Sequence, residues 1–444
     1  MIVPDENTSY RRILIVAWPI ILSSISVPLL ALVDTAVIGN LGDAALLGAI
    51  AIGGMIFNFI YWGFGFLRMG TTGLIAQEVG REHWLNVRAI LYRAGLLGIL
   101  IGVSLVLTQS LIASAAFSII DGSHSVESAA MEYFQIRILG APISLANLAI
   151  IGFLLGCQDT RGLLVIQISV NLINIVLDLL FVVVFNMSVT GVALASVLAE
   201  IFALGLGMIF VAGQLRRQGL SIRPAWVEVW QPQALFRMLA VNRDIMIRTL
   251  SLTFGFAWFT NQGAAGGDIT LAANTVLIQF VTFSAFFLDG IALAAETLVG
   301  QAIGARRRRL VERIVVLSTH LSIATAIMMA IVIYLSGNLV ISVLTNVVQV
   351  REFAAIYFLW VVAAPLISVW CYLLDGVFIG ATRTAEMRNA MVASLAIYLA
   401  IWWLTKPFEN HGLWLSLMAY YVARSLTLFV YLPRLIRGVE EPKT

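Results

Sequence analysis

The sequence predicts an all-α polytopic membrane protein with twelve transmembrane helices in two pseudo-symmetric six-helix lobes. Three observations predict it. Of 444 residues, 60% are apolar and only 11% charged, with a mean hydropathy of +0.96, whereas a soluble domain carries about 25% charge. Apolar runs long enough to cross a bilayer, which needs about 20 residues each, recur twelve times. Basic residues gather in alternate connections between those runs. This composition also excludes disordered, collagen-like and nucleic-acid-binding classes.

The twelve runs are 13–38, 48–76, 94–118, 130–156, 162–185, 190–213, 241–263, 270–300, 314–336, 353–380, 390–405 and 412–432. Their length makes them helices rather than barrel strands, because a helix satisfies its own backbone polar groups in lipid. The polar stretch Met1 to Arg12 precedes the first run without a small-residue cleavage pattern, so no removable signal peptide is expected. One set of alternate connections, with the termini, collects twenty Lys and Arg, among them Arg11, Arg12, Arg81, Arg161, Arg216 and Arg306 to Arg309. The other set has only Lys406 and Arg351. This imbalance places both termini in the cytoplasm and requires an even number of spans. The run Arg306 to Arg309 reads as a topological anchor. Residues 216–240, with Pro224, Pro232, Trp226 and Trp230, read as a cytoplasmic interfacial linker between lobes 1–215 and 241–444.

The two lobes repeat. Gly152-Phe153-Leu154-Leu155-Gly156 and Gly376-Val377-Phe378-Ile379-Gly380 stand 224 residues apart, and the same offset relates Tyr133-Phe134 to Tyr357-Phe358, Gln77 to Gln301 and Gly80 to Gly304. Ala141-Pro142 and Ala364-Pro365 match at 223. Ordered matches at one offset argue for duplication of a six-helix unit. Six is even, so both units have one orientation and are related by an axis along the membrane normal. The repeated Gly-x-x-x-Gly lets backbones approach closely, and Pro142 and Pro365 are expected to bend their helices.

Six carboxylates fall at least four residues from the ends of the runs: Asp34, Asp178, Glu200, Asp289, Glu296 and Asp375. Each would cost several kcal/mol facing lipid, so each must face protein or water. Asn171, Asn174 and Asp178 at i, i+3 and i+7 share one helical face. Two carboxylates and an amide, Asp34, Asp178 and Asn174, can hold one proton between them, because a second negative charge is disfavoured in low dielectric. The same oxygens could ligate Na⁺, or the cluster could be a fixed network joining helices one and five. In the second lobe Asp289, Asp375 and Glu296 are the candidates, and Arg243, Arg248 or Arg424 could pair with them. Four scattered histidines and no Gly-x-x-x-x-Gly-Lys-Ser/Thr loop give no metal spacing and no nucleotide engine, so an enzyme is not expected. Without that engine, uphill transport would draw on an ion gradient. Cys157, at the end of the run 130–156, and Cys371, within 353–380, read as buried free thiols.

Val27-Pro28-Leu29-Leu30-Ala31-Leu32-Val33-Asp34-Thr35-Ala36, Leu154-Leu155-Gly156-Cys157-Gln158-Asp159-Thr160-Arg161 and Asn171 to Asp178 resemble the multidrug and toxic compound extrusion (MATE) family. Arg243-Asp244-Ile245-Met246 and Leu374-Asp375-Gly376-Val377-Phe378-Ile379-Gly380-Ala381-Thr382-Arg383 resemble its DinF branch. The resemblance covers nearly the whole chain. It implies a V-shaped transporter that exports organic cations or amphiphiles against inward H⁺ or Na⁺, needs no cofactor, and resides in the bacterial inner membrane. Carried over, the coupling site is Asp34, Asn174, Asp178 and Ser196, extended by Asn147 and Asn171, with Pro19 as the bending point of the first helix. In the NorM-like branch, second-lobe carboxylates carry Na⁺, and Asp289 and Asp375 do not align clearly with them. The partners implied are small molecules and membrane lipids, and a two-lobed pathway is complete in a monomer. Two alternatives stay open: Na⁺ coupling at the same cluster, and a lipid-precursor flippase of the same superfamily.

Overall fold

In the computed structural model, residues 8–39, 44–118 and 123–439 are described, the side chains of 27–32, 34–39 and 44 excepted. Regular structure among them is helical. The first half contains α1 (Tyr10–Gly39), α2 (Ala44–Gly63), α3 (Phe66–Gly80), α4 (Trp84–Leu107), α5 (Gln109–Phe117), α6 (His124–Arg137), α7 (Ala141–Gly156), α8 (Thr160–Asp178) and α9 (Ser188–Arg216). A short α10 (Trp226–Val229) precedes α11 (Pro232–Ala265), α12 (Asp268–Gly304), α13 (Arg308–Leu344), α14 (Val348–Gly380), α15 (Thr384–Thr405) and α16 (Glu409–Arg437).

Laid end to end, these helices make twelve rods among the described residues. The pairs α2 with α3, α4 with α5, and α6 with α7 each form one rod. Nine described segments are long and apolar enough to span a bilayer, and one of them, Thr384–Arg437, holds two rods. The remaining rods are α1 and α11, whose first half carries Arg237, Arg243, Asp244 and Arg248. Leu107, Leu335 and Val430, about 70% or more exposed, belong on such rods because their outer faces meet hydrocarbon rather than water.

Packing divides the chain into two compact units. One is Leu22–Leu239, and the other joins Met1–Ile21 to Ala240–Thr444. The leading part of α1 therefore packs with the second half of the sequence, where Ile21 lies against Gly290 and Arg313 donates to the Thr8 carbonyl at 2.9 Å. The segment around α10 packs with the first half. Arg88 donates to the Ser221 and Arg223 carbonyls at 2.9 and 3.0 Å and pairs with Glu228, while Arg93 donates to the Val229 carbonyl at 2.8 Å. Buried guanidinium groups thus satisfy the carbonyls of an irregular stretch that has no helix partners of its own.

The repeat seen in the sequence reappears in backbone geometry. Glu82, Gln158, Arg306 and Thr382 adopt φ of 62, 58, 57 and 53°. Each follows a helix end closed by two crossed backbone bonds of 2.8–3.0 Å, as in His83 to Glu78 and Glu82 to Val79. This pairing satisfies the last carbonyls of a helix and needs a left-handed residue just beyond it. Glu82 and Arg306, like Gln158 and Thr382, are 224 residues apart, although no residue type is shared. Side-chain matching could not find them.

The glycine pairs also make equivalent contacts. A Cβ on Gly152 would lie 2.7 Å from the Arg68 carbonyl oxygen, and one on Gly156 would lie 3.0 Å from that of Thr72. One on Gly376 would overlap the carbonyl of Ala292, and one on Gly380 that of Glu296, again at the 224 offset. Gly156→Val meets mainly the Ile75 side chain, which can move, whereas Gly380→Val meets backbone of α12. Overpacking typically costs about 1–3 kcal/mol. The expected result is a larger loss of thermal stability for Gly380→Val than for Gly156→Val, read as monodispersity after heating in detergent. Equal losses would contradict this contact assignment. Pro365 lies within continuous α14, but Pro142 stands in the first turn of α7, just after the 3-10 turn Ile138–Gly140. At a helix start its missing N–H costs little, so the interruption before it falls at a helix junction.

Candidate functional site

The polar stripe is carried by α8. Asp159 starts this helix, its Oδ1 accepting from the Gly162 N–H at 3.0 Å, the role for which a carboxylate at a helix N-terminus is suited. Beyond that cap the helix has two faces. Leu172, Val176 and Leu179 are exposed, while Asn171, Asn174 and Asp178 are buried. The single face expected from the spacing is the face turned into the protein. Immediately after Asp178 the helix widens into a π-helical turn, Leu179–Val184. Such turns are concentrated at functional positions.

Asn174 and Asp178 come together with Ser196 of α9. With its amide nitrogen toward Asp178, Asn174 donates to Asp178 Oδ2 at 3.1 Å and accepts from the Ser196 N–H at 3.2 Å. This orientation is preferred because the reverse faces like groups with like. Asn171 donates to the Ser26 carbonyl of α1 at 3.1 Å and accepts from Gln167 at 3.0 Å. Gln167 therefore extends the stripe by one turn. The i, i+4 spacing from Gln167 to Asn171 carries that signal in the sequence, and the sequence reading did not use it. Asp34 lies within α1 but outside the described side chains. Pro19 is buried in the same helix, where its missing N–H leaves the Ile15 carbonyl without the usual helical donor.

A second polar group in this unit surrounds Glu200, a residue the sequence marks only as an intramembrane acid. Arg137 pairs with its Oε1, the Ser144 hydroxyl donates to its Oε2, and Asn147 donates to its backbone carbonyl at 3.0 Å. The Tyr61 hydroxyl is 3.3 Å from Ser144. Asn147 is thus placed beside Glu200. A cavity of about 220 Å³ opens here, lined by Tyr61, Ser144, Asn147, Gln167 and Glu200 together with apolar Leu, Ile and Val side chains.

The other unit treats its acids differently. Asp375 is buried and its Oδ2 accepts from both Arg248 and Arg424, the latter at 2.7 Å. Of the three arginines left open in the sequence, Arg248 and Arg424 pair with Asp375 and Arg243 pairs with Asp244 instead. Asp244 pairs with Arg388 at 2.7 Å and Arg243 at 3.0 Å. Asp289 is half-buried and Glu296 buried, both on α12. Cys157 and Cys371 are free and buried.

The MatE family model matches residues 19–180 and 245–404, one match in each half. DNA damage-inducible protein F of Escherichia coli (strain K12) is 40% identical over 416 residues, 93% of this chain and 89% of that protein. The probable multidrug resistance protein NorM of Thermotoga maritima is 24% identical over 444 residues, 95% of this chain and 92% of that protein. Among solved structures, a MOP superfamily transporter from Pyrococcus furiosus Vc1 superposes with a TM-score of 0.86 at 16% identity, over 98% of this chain and 97% of that one. At that identity the superposition shows the fold, and the family match shows the kinship. The chain therefore belongs to the MatE family, the multidrug and toxic compound extrusion transporters, and is a multi-pass membrane transporter of small molecules with the two-lobe, twelve-helix MATE fold, not an enzyme.

Proposed function

We propose that this protein exports organic cations or amphiphilic compounds by alternating access, driven by inward movement of H⁺ through the cluster Asp34, Asn174 and Asp178, with Ser196, Asn171 and Asn147 as supporting groups. The observation that carries this reading is the contrast between the two units. Asp178 is buried and accepts from the Asn174 amide, which in turn accepts from the Ser196 N–H, whereas Asp375 is already held by two guanidinium groups. A carboxylate occupied by two permanent cations has little affinity left for a transported one. Coupling is thus assigned to the first half rather than to Asp375.

In this mechanism, protonation of the Asp34/Asp178 pair removes its charge, rearranges the hydrogen bonds of Asn174 and Ser196, and bends α1 near Pro19. Substrate and proton then compete. Each must bind the two conformations with different free energies, since equal affinity shifts nothing. Na⁺ at the same oxygens is the alternative driver. A flippase for a pyrophosphate-linked lipid finds less support, because Arg137, Arg243, Arg248 and Arg424 are paired with Glu200, Asp244 and Asp375. Twenty basic residues on one side against two on the other favour the bacterial inner membrane with both termini cytoplasmic, and a monomer suffices.

The test is efflux of a fluorescent organic cation from proteoliposomes under an imposed pH gradient and, separately, an imposed Na⁺ gradient. Acceleration by the pH gradient alone supports the proposal. Acceleration by Na⁺ alone assigns the cluster to Na⁺, and no acceleration by either overturns antiport.

A further inference from the structure

Glu200 lines a mainly apolar cavity that also carries Tyr61, Ser144, Asn147 and Gln167, and its other contacts leave its carboxylate unsaturated. An ionised carboxylate has about four acceptor positions. Two are taken, one by Arg137 on Oε1 and one by Ser144 on Oε2. Glu200 lines the 220 Å³ cavity, whereas the Arg137 guanidinium is not among its lining groups. That guanidinium is held 5.5 Å from the ring centres of both Phe57 and Tyr61, contacts that favour a cation staying in place. The cavity therefore meets the negative end of a fixed ion pair, with the Tyr61 and Ser144 hydroxyls beside it and Leu148, Ile151, Ile166 and Val170 along the walls.

We propose that Glu200 is a specificity-determining residue of this cavity: it accepts a hydrogen bond from the ammonium group of an amphiphilic amine whose apolar body lies against Leu148, Ile151, Ile166 and Val170. The ammonium adds as a third donor and does not displace Arg137. Arg137 is a positioning residue, which fixes the carboxylate, and the negative charge of Glu200 on the cavity wall disfavours anionic head groups. An amine is preferred over a neutral amide of the same shape, because its positive charge adds a Coulombic attraction to the hydrogen bond that the carboxylate accepts. The inference deepens the transporter reading and rests on it for the ligand being a substrate, and the site centres on Glu200 while sharing Asn147 with the groups proposed to support coupling.

The experiment measures binding of a dansyl fluorophore with a primary ammonium arm, and of its neutral N-acetyl counterpart, to purified protein. Wild type is expected to prefer the ammonium probe by about tenfold or more. Glu200→Gln removes the charge but leaves Arg137 unpaired, so Arg137→Met/Glu200→Gln, which removes both charges, is measured beside it. In the double variant the ammonium preference should fall to about twofold or less, with affinity for the neutral probe retained. An undiminished preference in the double variant, or no preference in wild type, overturns the proposal. Efflux under a pH gradient is followed in parallel for wild type and the double variant. Loss of ammonium preference with pH-driven efflux of the neutral probe intact supports Glu200 as a selectivity group. Ammonium preference that depends on Glu200 in a wild type lacking any ion-driven efflux keeps the site and sinks antiport.

Discussion

Asp178→Asn is expected to give a folded protein that no longer converts a pH gradient into substrate accumulation. The substitution preserves shape, and the new amide carbonyl can still accept from Asn174, which now bonds Asp178 Oδ2 at 3.1 Å. What it removes is a carboxylate that can take up and release a proton. A gradient of about two pH units stores roughly 2.7 kcal/mol per proton, enough for about a hundredfold substrate gradient in one-for-one exchange. Without coupling, that ratio falls to about one at equilibrium. Asp34→Asn should behave in the same way if the two acids share one proton. The measurement is the steady-state accumulation ratio in proteoliposomes at fixed pH difference, with thermal stability recorded alongside. Retained accumulation in either variant rejects the assignment, and a collapse of stability in both variants marks the cluster as structural glue.

Asp375→Asn should instead be a stability variant. Arg248 and Arg424 converge on one carboxylate, and all three side chains are at most 8% exposed. Neutralising the acid leaves two buried cations facing each other without compensation. Breaking a buried ion pair in this way costs about 3–5 kcal/mol, whereas replacing all of its members by apolar residues of similar volume is often neutral. The expected pattern is a marked fall in melting temperature for Asp375→Asn and substantial recovery in Arg248→Met/Asp375→Leu/Arg424→Met. Added Na⁺ should not raise the melting temperature of wild type through this site, because the guanidinium groups already occupy it. A folded, stable Asp375→Asn protein that has lost ion-driven transport would reverse the assignment and make Asp375 a coupling group.

These two acids illustrate what could be read in advance and what could not. Asp178 was legible as an inward-facing acid because its neighbours announce themselves at helical spacing: Asn171 and Asn174 on the same face leave no lipid-compatible way to orient the helix. Gln167 follows the same rule and escaped only because the stripe was cut one turn short. Asp375 carries no such local signature. Its partners lie 127 and 49 residues away, and nothing within one turn of it distinguishes a neutralised acid from a functional one. The same holds for Glu200, whose partner Arg137 is 63 residues away.

The sequence alone determined the solvent of this protein, the number and order of its spans, the twofold repeat and the face of α8 that points inward. These follow from composition and from periodicities of 3.6 and 224 residues, which are properties of a chain before it folds. Tertiary structure alone decided which buried charges are neutralised, where the carbonyls of the segment around α10 are satisfied, and that the start of α1 packs with the second half of the chain. It also placed Glu200 rather than Arg137 on a cavity wall. The physical reason is range. Hydropathy and helical phase act over a few turns and so are written locally, but pairing charges in low dielectric requires groups far apart in sequence to meet, and only the packed helices bring them within hydrogen-bonding distance.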